Sequence, residues 1–152
     1  MIHHLDNVDK QSIIELIYSL FKSSHSLVVN GRSSYGSKYD YSKHKEFEPL
    51  VKQILSIVPD YQIYDMWFNV YQTGGYVKAH NHSSVHTENH PWLCGVYNLK
   101  KPKNSGDFYL NDNKIEAQEG DFFIFTPNDI HYTTQNQSKE DRIVLSFNFR
   151  KN

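Results

Sequence analysis

Tyr61-Gln62-Ile63-Tyr64-Asp65-Met66-Trp67-Phe68-Asn69-Val70-Tyr71-Gln72 and Arg142-Ile143-Val144-Leu145-Ser146-Phe147-Asn148-Phe149 are the stretches that decide the fold. Both alternate with period two, as strands do when successive side chains point to opposite faces. In the first, Tyr64, Met66, Phe68 and Val70 share one face, and Asp65, Trp67, Asn69 and Tyr71 share the other. In the second, Ile143, Leu145, Phe147 and Phe149 oppose Arg142, Val144, Ser146 and Asn148. The apolar faces call for a cover of helices, so the mixed faces look into the opposite side of a sheet. A polar side chain directed inward needs a partner or a ligand. The interior under the mixed faces is therefore a candidate site.

The cover lies upstream. In residues 8–22, Ile13, Ile14, Leu16, Ile17, Leu20 and Phe21 recur at helical spacing, with Asp6 or Asn7 available to cap the start. Residues 30–41, rich in Gly, Ser and Tyr, read as a loop. A second helix puts Phe47, Leu50, Val51, Ile54, Leu55 and Val58 on one stripe, with Pro49 in its first turn and Pro59 ending it. Shorter strands are expected around 75–80, 92–99, 106–110, 121–126 and 131–134. Turn signals such as Lys103-Asn104-Ser105-Gly106, Asn111-Asp112-Asn113 and Glu119-Gly120-Asp121 separate them. Many short strands after two helices suggest a mainly β double-stranded β-helix, a jelly-roll or cupin-like sandwich, with both helices packed on its major sheet. The 152 residues fit a single domain, with helical support over about 1–60 and a jelly-roll core over about 61–150.

Composition narrows the function classes. Net charge is −1, and the one basic cluster, Lys100, Lys101 and Lys103, is too short for a nucleic-acid footprint. Cys94 is the sole cysteine, which excludes an internal disulfide and favours a reducing compartment. No apolar run has the length of a membrane span, and residues 1–10 carry no signal-peptide pattern, so a cytoplasmic location is expected.

Four of the nine histidines crowd into 80–90: His80, His82, His86 and His90. His80 and His82 stand two apart, so on a strand both imidazoles face one side and can share a metal ion. A third ligand must come from elsewhere. His131, opening a strand after Phe125-Thr126-Pro127, is well placed.

Trp67-Phe68-Asn69-Val70-Tyr71, His80-x-His82, Gly95-Val96-Tyr97, Pro102…Ser105-Gly106, Glu119-Gly120-Asp121, Phe125-x-Pro127, His131 and Asp141-Arg142-Ile143 through Ser146-Phe147-Asn148 occur in one order. In that order they resemble a family of small iron(II)/2-oxoglutarate oxygenases common in marine bacteria and their phages. Prolyl hydroxylases are a more distant resemblance, through Tyr71…Gly75-Tyr76-Val77…His80. The resemblance implies a 2-oxoglutarate-dependent dioxygenase that takes iron(II), 2-oxoglutarate and O2, hydroxylates a small-molecule or peptidyl substrate, and releases succinate and carbon dioxide. It makes His80 the first metal ligand, His131 the distal histidine, and Arg142 the partner of the far carboxylate of 2-oxoglutarate. Asn69 and Tyr71 resemble an Asn-x-Tyr that touches the cosubstrate in alkylated-base demethylases.

Three positions depart from the family pattern. His82 stands in the slot usually held by a carboxylate, with Glu88 as a competing ligand in the long 83–91 loop. Val144 follows Arg142 where Ser or Thr is common, and Ser146 on the same face is a substitute. Asn98 replaces a second tyrosine that contacts the cosubstrate. Two other readings stay open. One is a cupin-type three-histidine dioxygenase or isomerase without 2-oxoglutarate, through Gly74, His80-x-His82, Glu88 and Gly95, then Gly120…Pro127…His131…Asn136. The other is a non-enzymatic metal- or sugar-binding jelly-roll module.

Overall fold

A computed structural model describes residues 1–20, 27–35, 41–83 and 92–152. In chain order the elements are β1 (Ile2–His4), α1 (Lys10–Leu20), β2 (Val28–Ser33), α2 (Glu48–Ile57), β3 (Tyr61–Val77), β4 (Trp92–Lys100), β5 (Phe108–Leu110), β6 (Asn113–Ile115), β7 (Asp121–Phe125), β8 (His131–Thr133) and β9 (Arg142–Lys151). Six strands form a major sheet in the order β1-β7-β4-β9-β3-β2, and three form a minor sheet in the order β6-β5-β8. The pairings between named strands are all antiparallel. No described helix is long and apolar enough to cross a membrane.

The two faces of the major sheet carry different cores. Met66, Phe68 and Val70 of β3 and Ile143, Leu145, Phe147 and Phe149 of β9 pack with Ile13 and Ile17 of α1 and Leu50 and Ile54 of α2. Tyr71, Cys94, Val96, Phe123, Phe125 and Val144 form the other core with Phe108 of the minor sheet. The helices therefore cover one face and the minor sheet covers the other, and the alternation of β3 and β9 assigns each residue to its side.

Several details differ from the sequence expectations. Tyr64 does not join the apolar face. The β3–β9 register shifts between Ile63 and Asp65, so Ile63 packs on the helical core instead. Tyr64 is 55% exposed and meets Trp92 edge-on. Residues 28–33 form an edge strand against β3 rather than the start of a loop, and residues 36–40 lie outside the described residues. Gly31 is required there because a Cβ would sit 2.2 Å from the Val70 carbonyl oxygen. The expected strand at 75–80 is the end of β3 up to Val77, with His80 in a separate bridge. Asn111 and Asp112 both take positive φ, making the two-residue hairpin turn that starts β6 at Asn113. The cap of α1 is Asp9, which accepts hydrogen bonds from the Ser12 amide and hydroxyl, not Asp6 or Asn7. The segment before residue 61 also supplies two strands of the major sheet, β1 and β2, besides its helices.

Candidate metal centre

Backbone pairing brings the three histidines together. Beyond β3 the chain bridges to the first residue of β8: the His80 amide donates to the His131 carbonyl at 3.0 Å, and the His131 amide donates back at 2.9 Å. The His82 amide donates to the Pro127 carbonyl at 2.9 Å, which ties the second histidine to the turn before His131. Ring centroids then stand 4.2 Å apart for His80–His131, 4.8 Å for His82–His131 and 5.4 Å for His80–His82. One ligand atom from each lies within 4.8 Å of the others, the only such group of three among the described residues. His86, Glu88 and His90 lie outside the described residues.

The hydrogen bonds select the tautomers. His80 Nδ1 lies 2.6 Å from the Lys78 carbonyl, His131 Nδ1 lies 3.2 Å from the Asp129 carbonyl, and His82 Nδ1 lies 2.8 Å from Asn148 Oδ1. Each of these oxygens accepts and cannot donate, so each Nδ1 carries a proton, and in the neutral ring the lone pair is on Nε2. Burial, then the neighbouring His80 and His82, pushes the His131 pKa down to about 3, which keeps the ring neutral as a ligand must be. Phe108 stacks on His131 with centroids 5.5 Å apart, and Phe125 lies against it at 4.7 Å. Cys94 Sγ is 3.2 Å from His82 Nδ1, but burial, then Asp129, pushes its thiol up to about 12 and holds it protonated.

An inner cavity of about 30 Å³ runs from these histidines between the two sheets, lined in part by Trp67, Asn69, Tyr71, Thr133, Val144 and Ser146. Arg142 lies beyond Tyr71, with its Cζ 5.9 Å from the Tyr71 ring centroid. It is 1% exposed, and its Nε and Nη1 find no hydrogen-bond partner among the described residues. Burial lowers its pKa, while Tyr71 and Asp107 oppose that shift. Burial raises the Tyr71 pKa, and Arg142 counters it. Asn69 Nδ2 donates to the Tyr71 hydroxyl at 3.2 Å, and Asn69 Oδ1 is buried without a partner among the described residues. Asn98 lies on β4 opposite Val144 and donates to the Gln118 carbonyl at 3.2 Å; its Oδ1 likewise has no partner among the described residues. Asn98 and Arg142 stand behind the cavity wall, whereas Asn69, Tyr71 and Ser146 form part of it.

A second cavity of about 210 Å³ opens outward from His80 and His82, between Leu27, Val28, Tyr35, Trp67 and Val77, with Ser33, Asn69 and Asn81 as its polar contacts. Tyr35 and Trp67 meet edge-on at 4.8 Å. Sequence reasoning missed the β2 side of this mouth, because residues 30–41 carry a loop-like composition. It also missed Asp65 and Asn148, which hydrogen-bond to each other at 3.2 Å beside His82. Their signal was present: both are polar residues on the inward face of an alternating strand.

Three imidazoles with ligand atoms within 4.8 Å of one another can, when neutral, hold a divalent metal ion, and a buried arginine with donors unpaired among the described residues can hold a carboxylate.

No family model matches the sequence, and no curated protein does. The structure has extensive likenesses. A Pseudomonas putida prolyl-4-hydroxylase superposes with a TM-score of 0.75 at 11% identity, covering 100% of this chain and 92% of that one. The viral collagen prolyl hydroxylase of Paramecium Bursaria Chlorella virus-1, in its 2-oxoglutarate complex, gives 0.73 at 14% identity over 100% and 96%. HygX from Streptomyces hygroscopicus, with nickel, 2-oxoglutarate and hygromycin B bound, gives 0.73 at 11% identity over 99% and 82%. At these identities the likeness establishes the fold: a double-stranded β-helix of the kind found in 2-oxoglutarate/iron oxygenases.

Proposed function

We propose that this chain is an iron(II)- and 2-oxoglutarate-dependent oxygenase that hydroxylates its substrate. The observation that carries the reading is one buried channel with two unlike ends. At one end the ligand nitrogens of three histidines lie within 4.8 Å of one another, and behind the other lies Arg142, whose buried Nε and Nη1 find no partner among the described residues. An unsatisfied buried charge is costly unless a ligand completes it. The fold and the donor chemistry both suit the pair of groups.

On this reading His80, His82 and His131 would hold the metal where the inner and outer cavities meet them. Arg142 takes the far carboxylate of the cosubstrate through its planar fork, with Asn69, Tyr71, Asn98 and Ser146 supplying the remaining polar contacts. Iron(II) with 2-oxoglutarate supplies the oxidising chemistry, in which O2, 2-oxoglutarate and a substrate C–H bond become succinate, carbon dioxide and a hydroxylated product. The rest falls to the protein. Phe108 and Phe125 screen His131 from water, and the Tyr35–Trp67 mouth presents the substrate beside His80 and His82. The inner cavity is narrow, and Tyr71, bonded to Asn69, forms part of its wall, so seating a molecule the size of 2-oxoglutarate would need that wall to give.

The test is anaerobic addition of iron(II) and 2-oxoglutarate. A metal-to-ligand charge-transfer band is expected, followed by succinate release in air. Iron binding with neither band nor succinate would overturn the reading in favour of a cupin-type three-histidine dioxygenase, the alternative favoured by a cluster that, among the described residues, holds histidines alone.

A further inference from the structure

Asn148 is fully buried on β9, the strand between β3 and β4. The register places Asp65 of β3 directly across from it on one side and Cys94 of β4 on the other. The bulge between Ile63 and Asp65 sets that alignment. Asn148 Nδ2 donates to Asp65 Oδ2 at 3.2 Å. Asn148 Oδ1 lies 2.8 Å from His82 Nδ1 and accepts from the Cys94 thiol at 3.3 Å.

We infer that Asp65 and Asn148 form a relay that positions His82 and makes it a stronger metal ligand, and that Asp65 stands in, at one remove, for the carboxylate His82 displaced. This inference rests on the three-histidine metal reading but does not depend on 2-oxoglutarate. The Asp65 carboxylate, when ionised, can only accept hydrogen bonds. It therefore fixes which end of the Asn148 amide faces it: the NH2 end turns to Asp65 and the carbonyl end to His82. A carbonyl oxygen cannot donate, so the proton of His82 must sit on Nδ1, and Nε2 is left to bind metal. Of the two backbone carbonyls that do this for His80 and His131, neither can rotate away. Only His82 depends on a side chain whose orientation another side chain must fix. A carboxylate at the end of the chain also draws the Nδ1 proton and raises the basicity of Nε2. Asn148 and Asp65 are positioning residues, since neither reaches the metal.

The test uses cobalt(II), whose affinity is read by chelator competition and whose geometry is read from its visible d–d absorption. Thermal melting of the metal-free chain checks folding. Asn148→Leu removes the acceptor and should weaken cobalt binding by about 10–100-fold while altering the visible spectrum. Asp65→Asn keeps every contact sterically possible but frees the amide to turn, and should weaken binding by up to about tenfold. The double variant Asn148→Asp/Asp65→Asn reverses the pair, placing a carboxylate directly on His82 with an amide behind it. It should restore the affinity to the wild-type level or above it. If Asn148→Leu fails to fold, Asp65→Asn and the reversed pair still decide the matter. Folded variants that bind cobalt like wild type, or a reversed pair no better than Asp65→Asn, would overturn the relay alone. A wild-type chain that binds no cobalt would overturn the metal reading and the relay with it.

Discussion

Replacing Arg142 by methionine should make the metal-free protein more stable and the proposed enzyme unable to hold its cosubstrate. Arg142 is 1% exposed, and two of its donors, Nε and Nη1, lack partners among the described residues. Each buried donor left unsatisfied costs about 1–3 kcal/mol. The Tyr71 ring, 5.9 Å from Cζ, returns part of this, about 0.5–2 kcal/mol for a cation over an aromatic face. Methionine fills much of the same volume with a flexible apolar chain and needs no partner. The net expectation is a gain of about 1–4 kcal/mol, the range seen when buried charges are replaced by packed apolar groups. A gain of about 2 kcal/mol would raise the Tm by roughly 4–8 °C in a chain of this size. Binding of 2-oxoglutarate to the metal-loaded protein should fall by about 2–5 kcal/mol, or roughly thirtyfold to several thousandfold. Denaturant melts and calorimetry on the same variant read both numbers. A variant that loses more than about 1 kcal/mol of stability and binds 2-oxoglutarate like wild type would refute the reasoning. It would make Arg142 a structural residue.

His131→Ala should abolish iron(II) binding in a titration, because His131 is the one ligand held by both β8 and the bridge to His80. His82→Asp should keep iron and His82→Ala lose most of it, while Glu88→Ala changes it little; loss in Glu88→Ala with retention in His82→Ala would replace His82 by Glu88 in the ligand set. The metal-free protein should lose stability in acid, since His131 stays neutral in the fold down to about pH 3 while an ordinary histidine takes its proton near 6.5. The unfolded chain then binds the extra proton, so stability is unaffected above about pH 7, declines below about 6.5, and has lost up to about 5 kcal/mol by pH 3; denaturant melts should show this slope flattened in His131→Gln. Gly95→Ala should cost about 1–3 kcal/mol in the same melts, because its Cβ would stand 2.7 Å from the Phe122 ring and 3.0 Å from Phe149.

The faces of β3 and β9 were legible in the sequence because alternation survives wherever a sheet has two different neighbours. The helical stripes were legible for the same reason, and so was the shared side of His80 and His82. What stayed hidden depends on distant contacts. Gly31 looks like a loop residue, yet it is glycine because the Val70 carbonyl leaves no room for a Cβ in a strand. The Ile63–Asp65 bulge has no local signature, so Tyr64 was assigned to the wrong face. β1 and β6 are three-residue strands at sheet edges, too short and polar to show a period. Asp65 and Asn148 could be marked as inward and polar, but their pairing exists only once the register sets them side by side.

On the proposed reading, that pairing bears on how a histidine can serve in the slot that the sequence resemblance gives to a carboxylate. Three neutral ligands leave the full charge of a divalent ion in place, and a dianionic cosubstrate is then held more tightly than at a site already carrying a negative ligand. The same excess charge would make the metal harder to retain if every ligand were an unassisted imidazole. In the proposed site Asp65 would move the missing charge outward by one side chain, acting on the metal through Asn148 and His82 rather than by coordination. Arg142 supplies the opposite charge beyond Tyr71, where the Asp107 charge acts on it without pairing its Nε or Nη1. The two ends would then suit an extended dianion, one through a metal whose charge is moderated at a distance and the other through the Arg142 cation. On this reading the exchange of carboxylate for imidazole is a redistribution of charge within the barrel, and the bulge in β3 is the backbone feature that makes it possible.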